Sequence, residues 1–238
     1  MTSADPTVTD PMNPQGWNRY SYVGNDPLAF TDPNGFSWLS SFFHSVTNFF
    51  RSNPIARAIL QIGATLILAA VLAPLVVAGT IVAGAAAAAA AAGGSAIATG
   101  LSGGNFGQIL RASAIAGATA FAFFEVGGLT NAIAGVDPSV AHIQPAFGTS
   151  AYAFNVAGHA LVGCGASVAS GGSCQSGALS AGVSAGAGPF INGPNQVASL
   201  VKNAVIGGVA SVAGGGKFAN GAVTGAFGNC WISIWVGR

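Results

Sequence analysis

The sequence contains very little charge. Only 5% of its 238 residues are Asp, Glu, Lys or Arg, whereas a soluble domain carries about 25%. No charged residue occurs between Arg57 and Arg111, or between Asp137 and Lys202, and the net charge is +1. Nucleic-acid-binding surfaces need clustered Lys and Arg, so this class is excluded. With 51% hydrophobic residues, the composition predicts contact with a lipid bilayer or burial within a larger assembly.

The sequence also lacks the residue motifs that are typical of metal sites and active sites. There is no CxxC, no HExxH and no Cys/His spacing suited to zinc. His159 has no carboxylate near it in the sequence, so we interpret it as bonded within a helix-packing interface. The stretch "GGGKFANG" is not a phosphate-binding P-loop, because Phe218 stands where that motif requires Ser or Thr. It predicts a turn after a helix, with Lys217 at the helix end. We expect no enzyme activity, no metal and no cofactor.

The chain has three cysteines, Cys164, Cys174 and Cys230. The first two close a short Gly/Ser-rich loop, "CGASVASGGSC", so a disulfide between them is sterically reasonable. In the chain-entropy model it would stabilise the fold by roughly 3 kcal/mol. Free thiols that act as small apolar side chains are an equally good alternative.

Residues 37–52 have the period of an amphipathic helix that Ser37 caps and Asn53-Pro54 ends. His44 and Arg51 lie among the Ser, Thr and Asn residues of the polar face. The apolar face consists of Trp38, Leu39, Phe42, Phe43, Val46, Phe49 and Phe50. Such a face fits either a membrane interface or a protein core.

Residues 58–82 carry no charge and contain thirteen Leu, Ile or Val residues. Those thirteen contribute roughly −4 to −8 kcal/mol towards membrane insertion. The stretch is long enough to cross a hydrocarbon core of about 30 Å, and Pro74 is tolerated in such spans. A deeply buried helix of a soluble protein is the alternative. The Ala-rich residues 83–98 allow close helix packing, so we predict that they return against the first span as a hairpin. Residues 37–100 therefore form one predicted domain.

Residues 101–238 form a Gly/Ala-rich helical region. Within it, residues 106–128 are apolar but interrupted by Arg111 and Glu125, which fits an amphipathic helix or a helix hairpin, and residues 136–148 read as a loop. Small residues recur three or four apart in the last third, as in Gly158 with Val162, Gly182 with Gly186, and Gly207 with Ser211. The predicted fold class is mainly α, with membrane-type hairpins or a loosely packed bundle after a short irregular or β segment.

The amino-terminal residues 1–36 differ from everything that follows. They are rich in Pro and Asp, and "RYSYV" predicts one short strand followed by Asp-Pro turns. A single strand cannot form a sheet alone, so it must complete a sheet supplied elsewhere. The start has neither the basic nor the apolar region of a signal peptide, and both ends lead us to expect a piece of a longer product.

This segment strongly resembles the carboxyl-terminal end of the Rhs/YD-repeat core domain. The matching residues are Asp10-Pro11, Asn18, Tyr20, Tyr22, Asn25, Pro27, Asp32-Pro33 and Gly35. In that family the segment closes a β-cage shell, and a variable toxin region follows. The resemblance also implies self-cleavage after Gly35-Phe36 by Asp10 and Asp32, although Phe36 replaces the usual Leu.

The region after residue 100 is similar, more loosely, to the pre-toxin segments of bacterial polymorphic toxins. The similar stretches are "SGGNFGQILRASAIAGA", "GHALVGCGASVASGGSC" and "GGGKFANGAVTGAFG". The resemblance implies a bacterial secreted effector, with the Rhs shell, an immunity protein and a lipid bilayer as partners. We expect a membrane-inserting or translocation-assisting segment without catalysis. The alternatives are a complete pore-forming effector that depolarises target membranes and an apolar filler of the shell.

Overall fold

The computed structural model describes residues 12, 14–20, 37–79, 81–137 and 143–234. Over these ranges the chain is mainly helical and contains no strand, which confirms the predicted fold class. It divides into two compact units, Met1–Phe49 and Phe50–Arg238. The predicted domains 1–36, 37–100 and 101–238 stay a prediction.

The first unit begins with a short 3₁₀ turn at Pro14–Trp17. Proline suits the first position of such a turn, because its fixed φ is already helical and its missing N–H is not needed there. Arg19 and Tyr20, the first residues of the predicted strand, lie in a turn. Their backbone N–H groups donate within this turn, that of Arg19 to the Trp17 carbonyl and that of Tyr20 to the Asn18 side chain, and not to any described strand. The rest of that strand lies outside the described residues.

Helix α1 runs from Ser37 to Ser52, as predicted. It ends there because Pro54 disfavours the helical conformation for Asn53, the residue before it. Phe42, Phe43 and Phe49 are each more than half exposed. The rings of Phe42 and Phe43 meet edge to face, with 5.8 Å between their centroids. Three aromatic side chains of the apolar face of α1 are therefore exposed.

The second unit is a bundle of helices that alternate in direction. Their bounds are α2 Pro54–Val77, α3 Ala83–Leu101, α4 Phe106–Ile133, α5 Ser150–Ala169, α6 Cys174–Ile191, α7 Gln196–Ala213 and α8 Phe218–Ile234. Each packs against the next, which confirms the predicted α2–α3 hairpin, and α8 also contacts α2, α4 and α6. Residues 106–128, for which two alternatives were open, belong to one continuous helix. Helix α8 is thus the central helix of the unit.

Three of the helix connections have the same type of turn. Gly103, Gly171 and Gly215 follow α3, α5 and α7 with φ of 76°, 85° and 77°, a region that favours glycine. The N–H of the next glycine donates to a carbonyl of the preceding helix: Gly104 to Thr99, Gly172 to Ser167 and Gly216 to Ser211, at 2.8–3.0 Å. This is the hydrogen bond of the Schellman motif, which satisfies carbonyl groups at a helix end. Because the helices alternate, all three turns lie at the end of the bundle where α2 begins.

Glycine also lets the helices approach closely. Gly163 on α5 faces Gly177 on α6, and Gly207 on α7 faces Gly221 and Gly225 on α8. A Cβ atom at any of these positions would overlap the backbone of the facing helix. The predicted packing role of Gly207 is confirmed. Such contacts are typical of helices associated through small residues.

Most interior side chains of this bundle are polar or small, with Phe123, Val126 and Phe227 as buried exceptions, and many large apolar side chains are exposed. The largest fully buried side chains are Asn131, Asn203, Thr65, Thr130, Ser180 and Ser184. The exposed side chains include Ile59, Ile67 and Val71 of α2, Leu110, Phe121 and Leu129 of α4, and Val201, Val205 and Val209 of α7. Helices α2, α3 and α4 are long and apolar enough to cross a membrane. A water-soluble protein has the opposite distribution, with its large apolar side chains inside.

Candidate functional site

A cavity of about 600 Å³ opens into the second unit at the end of the bundle where the turns after α3, α5 and α7 lie. Residues of α2 to α8 line it, together with the α5–α6 and α7–α8 turns. The lining includes ten Ser or Thr residues. Arg57 and Lys217 are its two charged residues, and none of its described lining residues is Asp or Glu. The cavity lining is therefore about half polar, and both of its charged side chains are cations.

The cavity has charged side chains at its mouth and aromatic side chains at its inner end, which is called the aromatic floor here. Arg57, Lys217 and Asn220 are exposed at the mouth. Phe123 of α4 and Phe227 of α8 are buried at the inner end. A polar group that entered between the helices would meet water-accessible cations first and two phenyl rings last.

Part of the polar lining is already bonded within the bundle. The hydroxyl of Ser180 donates to the Gly221 carbonyl at 2.9 Å, which ties α6 to α8. The hydroxyl of Ser211 donates to the Lys217 carbonyl at 3.2 Å, across the α7–α8 turn. These bonds hold the wall in place rather than offer groups to a ligand.

Other lining side chains have no bonding partner. Five of them make no hydrogen bond or ion pair with any described residue, namely the side chains of Arg57, Gln61, Ser95, Asn220 and Lys217. Ser95 on α3 is 5% exposed as a whole residue. Its hydroxyl is not among the described buried side-chain atoms that lack a partner, so it is accessible from the cavity.

Helix termini add to the positive potential at the mouth. Helix α2 begins at Pro54, and Asn53 before it makes no side-chain capping bond. Helix α6 is capped by the Ser173 side chain, which accepts from the Ser176 N–H at 3.2 Å. The N-terminus of a helix carries partial positive charge and unbonded N–H groups. At the start of α2, Pro54 has no N–H and the Arg57 N–H donates to the Asn53 carbonyl at 3.1 Å, so only the partial charge of the helix end acts near Arg57.

His159 lies behind the aromatic floor. It is 3% exposed, and its ring stacks on Phe123 at a centroid distance of 5.0 Å. Its Nδ1 lies 2.8 Å from the Asn155 carbonyl oxygen, and its Nε2 lies 2.9 Å from that of Gly228. A carbonyl oxygen only accepts, so each ring nitrogen that carries a proton can donate to the carbonyl next to it, and the tautomer decides which contact is a hydrogen bond in the neutral ring. As expected, this histidine ties helices together.

The predicted disulfide lies within the described residues, whereas the predicted self-cleavage residues do not. A disulfide joins Cys164 on α5 to Cys174 at the start of α6, while the side chain of Cys230 lies outside the described part. Asp10 and Asp32, the self-cleavage residues implied by the resemblance, also lie outside it. Arg111 is exposed and donates to the Ala169 carbonyl at 2.9 Å. The described residues contain no group of three His, Cys, Asp or Glu side chains that could hold a metal ion.

Sequence reasoning missed the cavity. The available signal was the recurrence of "SGGN", "SGGS" and "GGGK" at residues 102–105, 170–173 and 214–217. Each stretch follows a helix with small residues, so the three predict hairpins of one kind. Recognising them would have placed Lys217 at the same end of the bundle as Arg57.

Comparison with family models, with curated proteins and with solved structures found no match. Functional inference therefore rests on the packing, polarity and charge of the described residues and on the resemblance of residues 1–36.

Proposed function

We propose that this chain is the membrane-inserting part of an Rhs-type toxin used in competition between bacteria, and that it acts without catalysis of its own. The observation that carries the proposal is the reversed polarity of the second unit. Its interior consists mostly of small and polar side chains, with Phe123, Val126 and Phe227 as the large apolar ones, while many Ile, Leu, Val and Phe side chains are exposed. Water would penalise that surface, whereas lipid tails would not.

Helix α2 supports membrane insertion most directly. Only Ala58, Thr65 and Ala69 of its 24 residues are buried. At about 1.5 Å per residue, a helix of this length exceeds a hydrocarbon core of about 30 Å. Helices α3 and α4 also have the length and composition of a span. A hairpin of α2 and α3 with α4 beside it would satisfy its backbone groups internally, as the bilayer core requires.

Helix α1 supports a location at the membrane surface. It exposes the rings of Phe42, Phe43 and Phe49, and Arg51 lies in its last turn. Aromatic side chains with a weakly cationic polar face suit the headgroup region. In this proposal α1 lies in the interface and α2 enters the bilayer.

The toxin part of the proposal comes from the resemblance of residues 1–36 to the end of an Rhs core. It supplies the proposed partners, which are the Rhs shell before delivery, the target bilayer after it and an immunity protein. Secretion as an effector and bacterial origin belong to the same inference. The absence of catalysis rests on the lack of a nucleophile with an adjacent base and orienting acid in the sequence.

A complete pore-forming effector is the second candidate function. The polar cavity favours it, because a hydroxyl-lined space that enters an apolar bundle from one end is the beginning of a water path. Phe123 and Phe227 close that path at the inner end. Conduction would require these two rings to separate or several copies to assemble.

Liposome flotation with a dye-release assay tests both functions. We expect the full chain to float with liposomes and to remain bound after a wash at high salt, because insertion is driven by apolar area. Release of an entrapped dye would favour the pore-forming candidate, and flotation without release would favour translocation assistance. A chain that stays in the lipid-free fraction would contradict both and support a filler of the shell.

A further inference from the structure

We propose that the mouth of the cavity binds a phosphate group, held by Arg57 and Lys217. The chemical class is a phosphate monoester, a phosphodiester or inorganic phosphate. A lipid headgroup and a soluble phosphate compound both present this chemistry. The proposal depends on the fold of the second unit and does not require the toxin assignment.

Charge is the first argument. Arg57 on α2 and Lys217 before α8 are distant in sequence, but both line one cavity. Neither pairs with a carboxylate among the described residues. Glu125, the acidic residue within helices α2 to α8, is exposed and does not line the cavity. Both side chains are exposed at the mouth, and an anion bound there is attracted to each of them.

The free hydrogen-bond donors are the second argument. The side chains of Ser95, Gln61 and Asn220 line the cavity and have no hydrogen-bond partner among the described residues. A cavity that offers two cations and several neutral donors matches an oxyanion with several acceptor oxygens.

The fit of phosphate follows from this donor set. Arginine presents a planar fork that pairs with two oxygens of a phosphate, and lysine adds a compact charge that binds a third. Hydroxyl and amide donors can reach the remaining oxygen. At about 600 Å³ the cavity lies within the range of small-molecule sites, so a phosphate and part of its substituent fit inside.

The test uses the full chain in maltoside micelles, which contain no phosphate. Inorganic phosphate and short-chain phosphatidylglycerol are titrated in separate calorimetric experiments. The variants are Arg57→Gln, Lys217→Gln and their combination. Arg111→Gln is the matched control, because it removes an equal charge from an exposed arginine that does not line the cavity. Helicity and elution volume establish that each variant folds.

We expect binding to be about tenfold weaker in each single variant, since a charge-assisted hydrogen bond is lost, and weaker still in the combination. The control should bind as the wild type does, and Lys217→Arg should retain binding. Binding of both probes indicates a general phosphate site, and binding of phosphatidylglycerol alone indicates a lipid headgroup. If neither probe binds, or Arg111→Gln weakens binding as much as Arg57→Gln, the proposal is wrong.

Discussion

Replacing Ile67 with lysine is expected to reduce stable membrane insertion of the chain by about 100-fold or more. Ile67 is 67% exposed near the middle of α2, where the account places lipid. A lysine at the centre of a span costs about 2.5–3.5 kcal/mol, and the favourable contribution of isoleucine is lost as well. Flotation with liposomes after an alkaline carbonate wash measures the inserted fraction.

Val77→Lys is the matched control for this prediction. Val77 is 83% exposed and ends the same helix, so the long lysine side chain can reach the interface. We expect its inserted fraction to stay close to that of the wild type. If α2 faced water instead, both substitutions would change stability by less than about 0.5 kcal/mol. Equal behaviour of the two variants would therefore contradict a span at α2.

Two glycines on α5 should respond to alanine in opposite directions. A Cβ at Gly163 would meet the Gly177 carbonyl and lie 2.6 Å from the Ala181 Cβ, whereas one at Gly165 meets nothing within 4 Å. Gly163→Ala should lower the free energy of unfolding by about 1–3 kcal/mol, because α5 and α6 must separate. Gly165→Ala should raise it by up to about 1 kcal/mol, since alanine favours the helix.

Titration of the micelle-bound full chain with a denaturing detergent, followed by circular dichroism, measures both values. Because the two positions are two residues apart on one helix, they share the same helix propensity, and the contact with α6 is the main difference between them. A destabilising Gly165→Ala, or a neutral Gly163→Ala, would mean that α5 and α6 do not pack at the Gly163–Gly177 contact.

Local features of the fold were predictable from the sequence. The helical period of the apolar residues in 37–52 and the helix-ending Asn53-Pro54 predicted the extent of α1. The Ala-rich residues 83–98 predicted that α3 forms one half of a hairpin. Glycines after a helical run predicted the turn before Lys217. Each of these depends on residues within a few positions of one another, where propensity and capping decide the conformation.

The packing partners were not predictable in the same way. Gly163 and Gly165 look alike in the sequence, yet one contacts a helix and the other faces open space. Small residues cover every face of these helices, so the hydrophobic period that identifies a buried face is absent. The central position of α8 and the meeting of Arg57 with Lys217 at one mouth follow from those contacts, so both needed the structure.

Hydrogen exchange of the full chain, with and without liposomes, decides whether the second unit inserts into a bilayer. We expect amides of α2, α3 and α4, over residues 54–133, to exchange slowly when liposomes are present and much faster in lipid-free buffer. The bilayer both shields these helices and makes their association favourable. Equal protection of these residues in lipid-free buffer would contradict the account, because the bundle would then fold in water despite its apolar surface.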